Sequence, residues 1–536
     1  MFKSNFQSKS ISEVALELQV SELTIRNWIK TGFLSISENG KIPQESIDFF
    51  FEKIAGKQKL NARANKLLKD LHNHGEISEE IQNKINNTAN PETLGIAYEA
   101  LLSDSYKNKE GIYYTPEFIV KDMMKGFDEN LSDKTFLDPC CGSGNFILEA
   151  IRLGFKPENI FGFDVDKNAV EITKKRVFEQ TGHYSKNIVT TDFLEESIQG
   201  KKQFDYIFTN PPWGKKISKK EKQKYGQLLG AGKSLDTASL FLFISLELLR
   251  ENGKLGFLLP DSFFTISVFE DVRKKVLEHQ IDRLIDYKKP FKKLLTRAQA
   301  IVLTKTKSSE NHWVSCEFDG VTNKRNQSSF IENPKVILNF SANQNEVELI
   351  KYICQKPYIT LKDNAVFGLG IVTGDNKTLC KTKPEKGWIP VYRGSDILKD
   401  GLKKATCFID KNLKKYQQTA PEYLYQAQEK LIYKFISNQL CFYCDTEQKY
   451  VLNSANLLVL NSDFPISGKE LTKLLNSDFM TWFFRKIFVT HKVLKSDLQH
   501  LPIHFEYFEK YGNFTEQNYL EYLGIKKSNI TYVLKR

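Results

Sequence analysis

The chain has 536 residues, 41% of them hydrophobic and 12% aromatic, which is too long for one hydrophobic core and sets an expectation of two to four domains. Its 77 Lys and Arg against 65 Asp and Glu give a net charge of +12, which favours a polyanionic partner without requiring one. No apolar run of about 18 residues occurs, the opening MFKSNFQSKS carries no apolar signal segment, and the eight cysteines are scattered, with only Cys441 and Cys444 in a C-x-x-C spacing; these features exclude a spanning helix and a four-ligand zinc site and predict a reduced, cytoplasmic protein.

Residues 1–55 hold the first unit. Ser12 is expected to cap a helix with Val14, Ala15 and Leu18 on one face, and Ser21 to Gly32 a second helix. FLSISENGKI then reads as a small hairpin. Two short helices, a tight turn and a hairpin resemble the winged helix-turn-helix of the MerR and excisionase type, which implies that Thr24, Arg26, Asn27 and Lys30 lie on a DNA-recognition helix. The alternative is a small packing or dimerisation module. Residues 56–93, rich in Lys and Asn, read as a helical connector.

From Leu94 to about 310 the pattern changes. Helices over 94–124 are followed by alternating strands and helices: KTFLDPCC, NFILEAIRLG, NIFGFDVD, KNAVEITKKRVFEQTG, NIVTTDF, FDYIFTNPP, TASLFLFISLELLRENG, GKLGFLLP and a last strand in RAQAIVLTKTKSS. That rhythm predicts an α/β fold with a doubly wound, mostly parallel, Rossmann-like sheet. Residues 330–536 lose the rhythm and predict a second, α+β domain of mixed structure.

Four motifs end successive strands. In FLDPCCGSGNFILEA (136–150), Asp138 closes a strand and Gly142 and Gly144 open a turn into a helix at Asn145. The third spaced glycine of a dinucleotide fingerprint is missing. D-P-x-x-G-x-G is instead the form in methyltransferases that bind S-adenosylmethionine, and Asp138 can hold that ligand's amino group, with Cys140, Gly142 and Asn145 around it. In FGFDVD (161–166), Asp164 is positioned to accept both ribose hydroxyls, with Val165 beside it and Asp166 as a helix cap. In TTDFLE (190–195), Asp192 can accept from the adenine amino group and Phe193 can pack on the adenine ring. The fourth is Asn210-Pro211-Pro212-Trp213, in FTNPPWGKK (208–216). Each motif alone is weak; in this order each acid closes a successive strand on one sheet edge.

[DNS]-P-P-[YFW] is the signature of methyltransferases that act on exocyclic or amide nitrogens, and with it the chain resembles the gamma-class, TaqI-like N6-adenine DNA methyltransferases of restriction–modification systems. GIYYTPEFIVKDMM (111–124) resembles that family's first cofactor segment, through Tyr114, Thr115 and Pro116. YKKPFKKLLTRAQAIVL (287–303) resembles its late motif, in which Phe291 would pack on the target base. FGLGIVTGDN (367–376), YRGSDI (392–397) and the segment 474–503 resemble its C-terminal specificity domain. The likeness covers roughly 95–536 and leaves the N-terminal unit outside.

The resemblance implies S-adenosylmethionine as cofactor, double-stranded DNA as substrate, no metal, and no membrane association. It implies that Asn210 and Pro211 accept the two hydrogens of the adenine amino group, that Pro212 stiffens the corner, and that Trp213 and Phe291 stack the extruded base. Lys215, Lys216, Lys219, Lys220, Lys222 and Lys224 after the corner, and Lys288, Lys289, Lys292, Lys293 and Arg297 around Phe291, are expected to meet phosphates rather than to form merely solvated faces. Lys377, Arg393, Lys434, Asn438 and Lys492 are candidates for base or phosphate contact in the second domain. A separate restriction endonuclease is an implied partner, and monomer and homodimer both stay open. The competing readings are an N4-cytosine methyltransferase, a methyltransferase of protein glutamine or RNA, a bifunctional methylase-nuclease, and a non-catalytic regulator.

Overall fold

The computed structural model describes residues 8–17, 22–30, 33–37, 40–50, 94–95, 98, 113–127, 130–199, 202–215, 217–291, 296–490 and 492–535. The chain forms two compact units, one of residues 1–260 and 289–306, the other of 261–288 and 307–536. The connector expected at 56–93 lies outside the described residues, as do residues 18–21. No helix among the described residues is long and apolar enough to cross a membrane.

In the first unit, β1 (Ser8–Lys9), α1 (Ile11–Glu17), α2 (Glu22–Lys30), β2 (Ile42–Pro43) and α3 (Gln44–Phe49) come first. Val14, Ala15, Ile25, Trp28, Leu34, Ile42, Ile47 and Phe50 form a small separate core. Two expectations are corrected here. Ser10, not Ser12, caps α1: its hydroxyl accepts from the Glu13 N–H at 3.2 Å while its own N–H donates to the Glu13 carboxylate at 2.7 Å, a reciprocal box. Ser12 instead donates to Glu22 at 2.8 Å. In place of a hairpin over 33–42, the described residues show the Ser37 N–H donating to the Lys41 carbonyl at 2.8 Å and β2 taking β1 as its antiparallel partner.

The larger part of this unit is the α/β layer. Its elements are α4 (Glu117–Met123), β3 (Phe136–Asp138), α5 (Asn145–Leu153), β4 (Ile160–Asp164), α6 (Lys167–Thr181), β5 (Ile188–Thr190), α7 (Phe193–Gln199), β6 (Phe204–Thr209), α8 (Lys219–Leu229), α9 (Thr237–Leu248), β7 (Leu249–Pro260) and β8 (Ala298–Lys307). The strands lie in the order β8-β7-β6-β3-β4-β5, all parallel except β8, which runs antiparallel to β7. The chain leaves β3 toward β4 and β5, then returns to the other side of β3 with β6. β3 and β6 are therefore adjacent strands whose connections diverge, and the crevice at their carboxyl ends is where such a sheet binds ligands. Helix α9 is buried from Thr237 to Leu246 on every face, as its unbroken apolar sequence requires.

Two helices of the α/β layer escaped the sequence reading. α8 carries the lysine run and is fixed by a capping box between Ser218 and Glu221; its Ser-x-x-Glu spacing was the available signal. α7 begins directly after Asp192, which accepts the Leu194 N–H at 2.9 Å.

The second unit contains strand His279–Asp286, which pairs parallel with Trp313–Phe318, itself antiparallel to Val321–Asn326. None of these three strands was anticipated. A four-stranded antiparallel sheet runs Ala365–Leu369, Ala455–Leu460, Lys430–Lys434, Phe442–Asp445. Leu431, Tyr433 and Leu458 on its strands share a core with Leu471, Leu474, Phe479 and Phe483 of helices Gly468–Asn476 and Asp478–Phe488. Two arginines are buried as backbone clamps. Arg273 donates to the carbonyls of Phe263, Ile266, Lys335 and Val336, and Arg325 donates to both oxygens of Asn339.

Candidate active site

One cavity opens at the carboxyl ends of β3, β4, β5 and β6. It is lined by Tyr114, Thr115, Asp138, Cys140, Gly142, Asn145, Asp164, Val165, Asp192, Phe193 and Asn210, so residues from five separated motifs meet there. Pro116 stands outside it as the N-cap of α4.

The loop after β3 shapes the cavity floor. Gly142 and Gly144 have φ of 51° and 90°, the left-handed region that favours glycine. A Cβ on Gly142 would sit 3.0 Å from the Tyr114 ring, and one on Gly144 would sit 2.7 Å from Thr173. Thr173 in turn donates to the Gly142 carbonyl at 2.8 Å. Asn145 opens α5 and donates to the Thr115 carbonyl at 2.8 Å, while Arg176 of α6 donates to the Asn145 side-chain oxygen at 2.9 Å and to the Ser143 carbonyl. Arg176 is a residue that sequence reasoning missed, because nothing in a helical Lys-Lys-Arg run marks which cation turns inward.

The two acids differ in what remains available on them. Asp164 accepts the Gly142 N–H at 2.8 Å on one oxygen and the Asp166 N–H at 2.9 Å on the other. A carboxylate has about four acceptor positions, so two remain for hydroxyl donors. Burial pushes Asp164 up to about 6, against the restraint of those two N–H groups. Asp138 accepts the Thr209 hydroxyl at 2.7 Å and the Cys140 N–H at 3.1 Å, both on Oδ1. Its Oδ2 is buried and has no partner. Burial pushes Asp138 up to about 7, the Thr209 and Cys140 bonds hold it down, and the Asp164 charge pushes it further up. Asp166 caps α6 by accepting from the Asn168 and Ala169 N–H groups, as its position predicts.

The Asn210-Pro211-Pro212-Trp213 corner follows β6 directly. Asn210 Nδ2 donates to the Tyr113 carbonyl at 2.6 Å. A carbonyl can only accept, so this contact fixes which end of the amide faces Tyr113 and turns Oδ1 the other way. Oδ1 is buried and unpartnered. Trp213 is 8% exposed and its Nε1–H donates to the Leu258 carbonyl at 3.2 Å, which holds the indole against β7. Tyr113, Trp213 and Phe291 form a triangle of rings: Tyr113 to Trp213 is 5.8 Å, Tyr113 to Phe291 is 5.6 Å, and Trp213 to Phe291 is 5.5 Å at 86°. A planar base between two parallel rings needs them about 7 Å apart. Trp213 and Phe291 here touch edge to face instead. Tyr113 is the third ring that sequence reasoning missed, although it stands next to the Tyr114-Thr115-Pro116 segment.

Lys215 lines the cavity. Lys219, Lys220 and Lys224 are exposed on α8, whose Tyr225 is buried. Lys288 and Lys289 are exposed and Arg297 is half-buried, while Lys216, Lys292, Lys293 and the Lys30 side chain lie outside the described residues. Arg26 is exposed and pairs with Glu22 at 3.4 Å. Lys377 and Arg393 are exposed in the second unit.

Residues 89–353 match the family model described as N-6 DNA methylase, and residues 389–503 match that of the TaqI-like C-terminal specificity domain. The chain is 46% identical over 393 residues to the type II methyltransferase M.VspI of Vibrio sp. (strain 343), which covers 73% of this chain and 96% of that protein. It is 30% identical over 184 residues to the modification methylase CviBIII of Paramecium bursaria Chlorella virus NC1A, 34% of this chain and 45% of that one. Among solved structures, the type IIL restriction-modification enzyme MmeI in complex with DNA shares the fold, with a TM-score of 0.54 at 13% identity over 77% of this chain and 70% of that one.

Proposed function

The chain belongs to the TaqI-like N-6 DNA methylases of restriction–modification systems, and we propose that it methylates the N6 amino group of an adenine flipped out of double-stranded DNA. Its cofactor is S-adenosylmethionine, which when bound supplies a methyl group on a positively charged sulfur. The residues present suit that ligand. Asp138 offers a buried, unpartnered oxygen to its amino group, Asp164 has acceptor positions left for its ribose hydroxyls, and Asp192 and Phe193 stand on the same cavity for its adenine.

The observation that carries the reading is the unpartnered Oδ1 of Asn210. An adenine amino nitrogen is a poor nucleophile because its lone pair is delocalised into the ring. Asn210 Oδ1 and the Pro211 carbonyl accept its two hydrogens and give the nitrogen tetrahedral character, with the lone pair freed for the methyl group. Acceptors held rigidly in a water-poor site act most strongly where charge develops in the transition state. The Tyr113 carbonyl supplies that rigidity by occupying the Asn210 Nδ2. Trp213, held by Leu258, is the fixed wall for the extruded base, and Phe291 turns from its edge-on contact to form the other.

The exposed lysines after the corner and around Phe291 take phosphates, and Lys377 and Arg393 belong to the region 330–536 that reads the DNA sequence. The N-terminal unit, 1–55, is a helix-turn-helix that adds a DNA contact through Arg26 and Lys30, joined by a connector over 56–93 to a catalytic domain over 94–310. The enzyme acts in the cytoplasm beside a separate restriction endonuclease. The test is to express the chain in a host without DNA methylation and analyse the nucleosides of its DNA. N6-methyladenine at one sequence motif is the expected result; N4-methylcytosine in its place overturns the choice of base.

A further inference from the structure

Asp138 and Thr209 are the last residues of β3 and β6, the adjacent strands from which the connections diverge. Thr209 is fully buried. Its hydroxyl donates to Asp138 Oδ1 at 2.7 Å, the Cys140 N–H reaches the same oxygen at 3.1 Å, and Oδ2 is left buried without a partner. The next residue after Thr209 is Asn210, whose amide is fixed by the Tyr113 carbonyl. The end of one strand thus holds the amide that faces the substrate and the hydroxyl that grips the acid of the neighbouring strand.

We propose that Thr209 is a positioning residue for the cofactor: its hydroxyl occupies Asp138 Oδ1 and so presents Oδ2 to the cofactor's ammonium group, tying cofactor capture to the strand end that carries Asn210. This rests on the reading that Asp138 holds the amino end of the cofactor.

The physical consequence is a pH-dependent affinity tuned by one hydroxyl. Asp138 must be ionised to attract an ammonium group. Burial opposes that, and pushes it up to about 7. The groups that act on it are the Asp164 carboxylate, which opposes ionisation, and the Thr209 hydroxyl and Cys140 N–H, which favour it. The neighbouring thiols of Cys140 and Cys141 are themselves pushed well above their usual range by burial and stay neutral, and Lys215 and Asp192 act on the same cluster with opposite signs. Cofactor affinity therefore rises as pH climbs through about 7, and falls again when the ligand's own amino group loses its proton near about 8.

Replacing Thr209 by Val keeps the side-chain shape and removes the donor. The experiment is calorimetric titration of the full chain with S-adenosylmethionine and with S-adenosylhomocysteine, which keeps the amino acid end, between about pH 5.5 and 8.5. In Thr209→Val the acid limb of the affinity profile moves up by about one pH unit, with binding about fivefold weaker near pH 7 and about tenfold weaker near pH 5.5, for both ligands. Thr209→Ser keeps the wild-type midpoint. A merely structural role lowers the melting temperature of Thr209→Val and leaves the midpoint in place, and that result overturns the inference. If the Val variant does not fold, Thr209→Ala gives the same readout. Asp138→Asn separates the two levels: wild-type affinity in that variant removes the Asp138 reading itself, whereas loss of the pH dependence together with an unmoved Thr209→Val midpoint removes the role of Thr209 alone.

Discussion

Replacing Asn210 by Ala deletes two things that the structure keeps apart. The first is the Nδ2 donor to the Tyr113 carbonyl at 2.6 Å. Its loss removes one part-buried hydrogen bond, a local cost of about 0.5–1.5 kcal/mol. The second is the unpartnered Oδ1, the acceptor offered to the target amino group. Removing one preorganised group of this kind costs about 10²–10³-fold in kcat, or about 2.7–4 kcal/mol. The two costs fall on different observables, so one set of experiments separates them. Single-turnover methylation of a duplex containing the enzyme's motif reads the acceptor. Thermal melting and cofactor titration read the packing. Asn210→Ala should lose at least about 10²-fold in the methylation rate and change cofactor affinity by no more than a few-fold, since Asp138 and Asp164 remain. Asn210→Asp keeps an oxygen acceptor but sets an oxygen against the Tyr113 carbonyl, so it should lose positioning and fall between wild type and Ala. Methyl transfer by Asn210→Ala at near wild-type rate refutes the argument, whatever the melting temperature does.

Trp213→Phe keeps a ring wall and gives up the bond to Leu258 at 3.2 Å; it should retain methylation with a loss of about 1 kcal/mol in kcat/KM, while Trp213→Ala should destabilise the fold by about 3–5 kcal/mol in denaturant titration. Lys430 and Asp445 form an ion pair with no exposed surface on either side chain, and Asp445 also accepts the Glu447 and Lys449 N–H groups. Lys430→Met leaves that buried carboxylate with Lys449, at 3.9 Å, as its remaining cation and should cost about 3 kcal/mol in urea unfolding; an unchanged midpoint argues against the pair. His504 is buried between the Tyr519 hydroxyl at 2.6 Å and the Ile353 carbonyl at 3.1 Å. The carbonyl requires a proton on Nε2, so Nδ1 accepts from Tyr519 and the ring is neutral. Burial lowers it from 6.5 to about 4, so the unfolded chain binds the proton first as pH falls. Its contribution is whole above about 6.5 and fades toward 4, a loss of about 2 kcal/mol between pH 7 and pH 5, which His504→Gln should abolish in melts across that range.

Much of the catalytic layer was legible because it is written in local patterns. Alternating apolar runs and amphipathic stretches require strands and helices, and an acid at the end of each strand must fall on one sheet edge if the sheet is parallel. Asp138, Asp164, Asp192 and Asn210 meet around one cavity for that reason. The N-terminal capping was misread by two residues, although Ser10 and Glu13 have the Ser-x-x-Glu spacing of a capping box; only the contact from Ser12 to Glu22, between two helices, depended on the fold. The strands at 279–286, 313–318 and 321–326 were not anticipated, because each becomes a strand through its neighbours rather than through a period of its own.

What the amino-acid order determined by itself is the set of motifs and the sequence in which they close the strands. What only the tertiary structure decided is how they are oriented against each other. The bond from Asn210 to Tyr113 spans 97 positions and that from Thr209 to Asp138 spans 71. Which amide end faces inward, which carboxylate oxygen is left over, and which third ring completes the aromatic triangle depend on contacts between segments that share no local pattern. Such contacts exist only once the loop entropy between them has been overcome by the packing of the sheet.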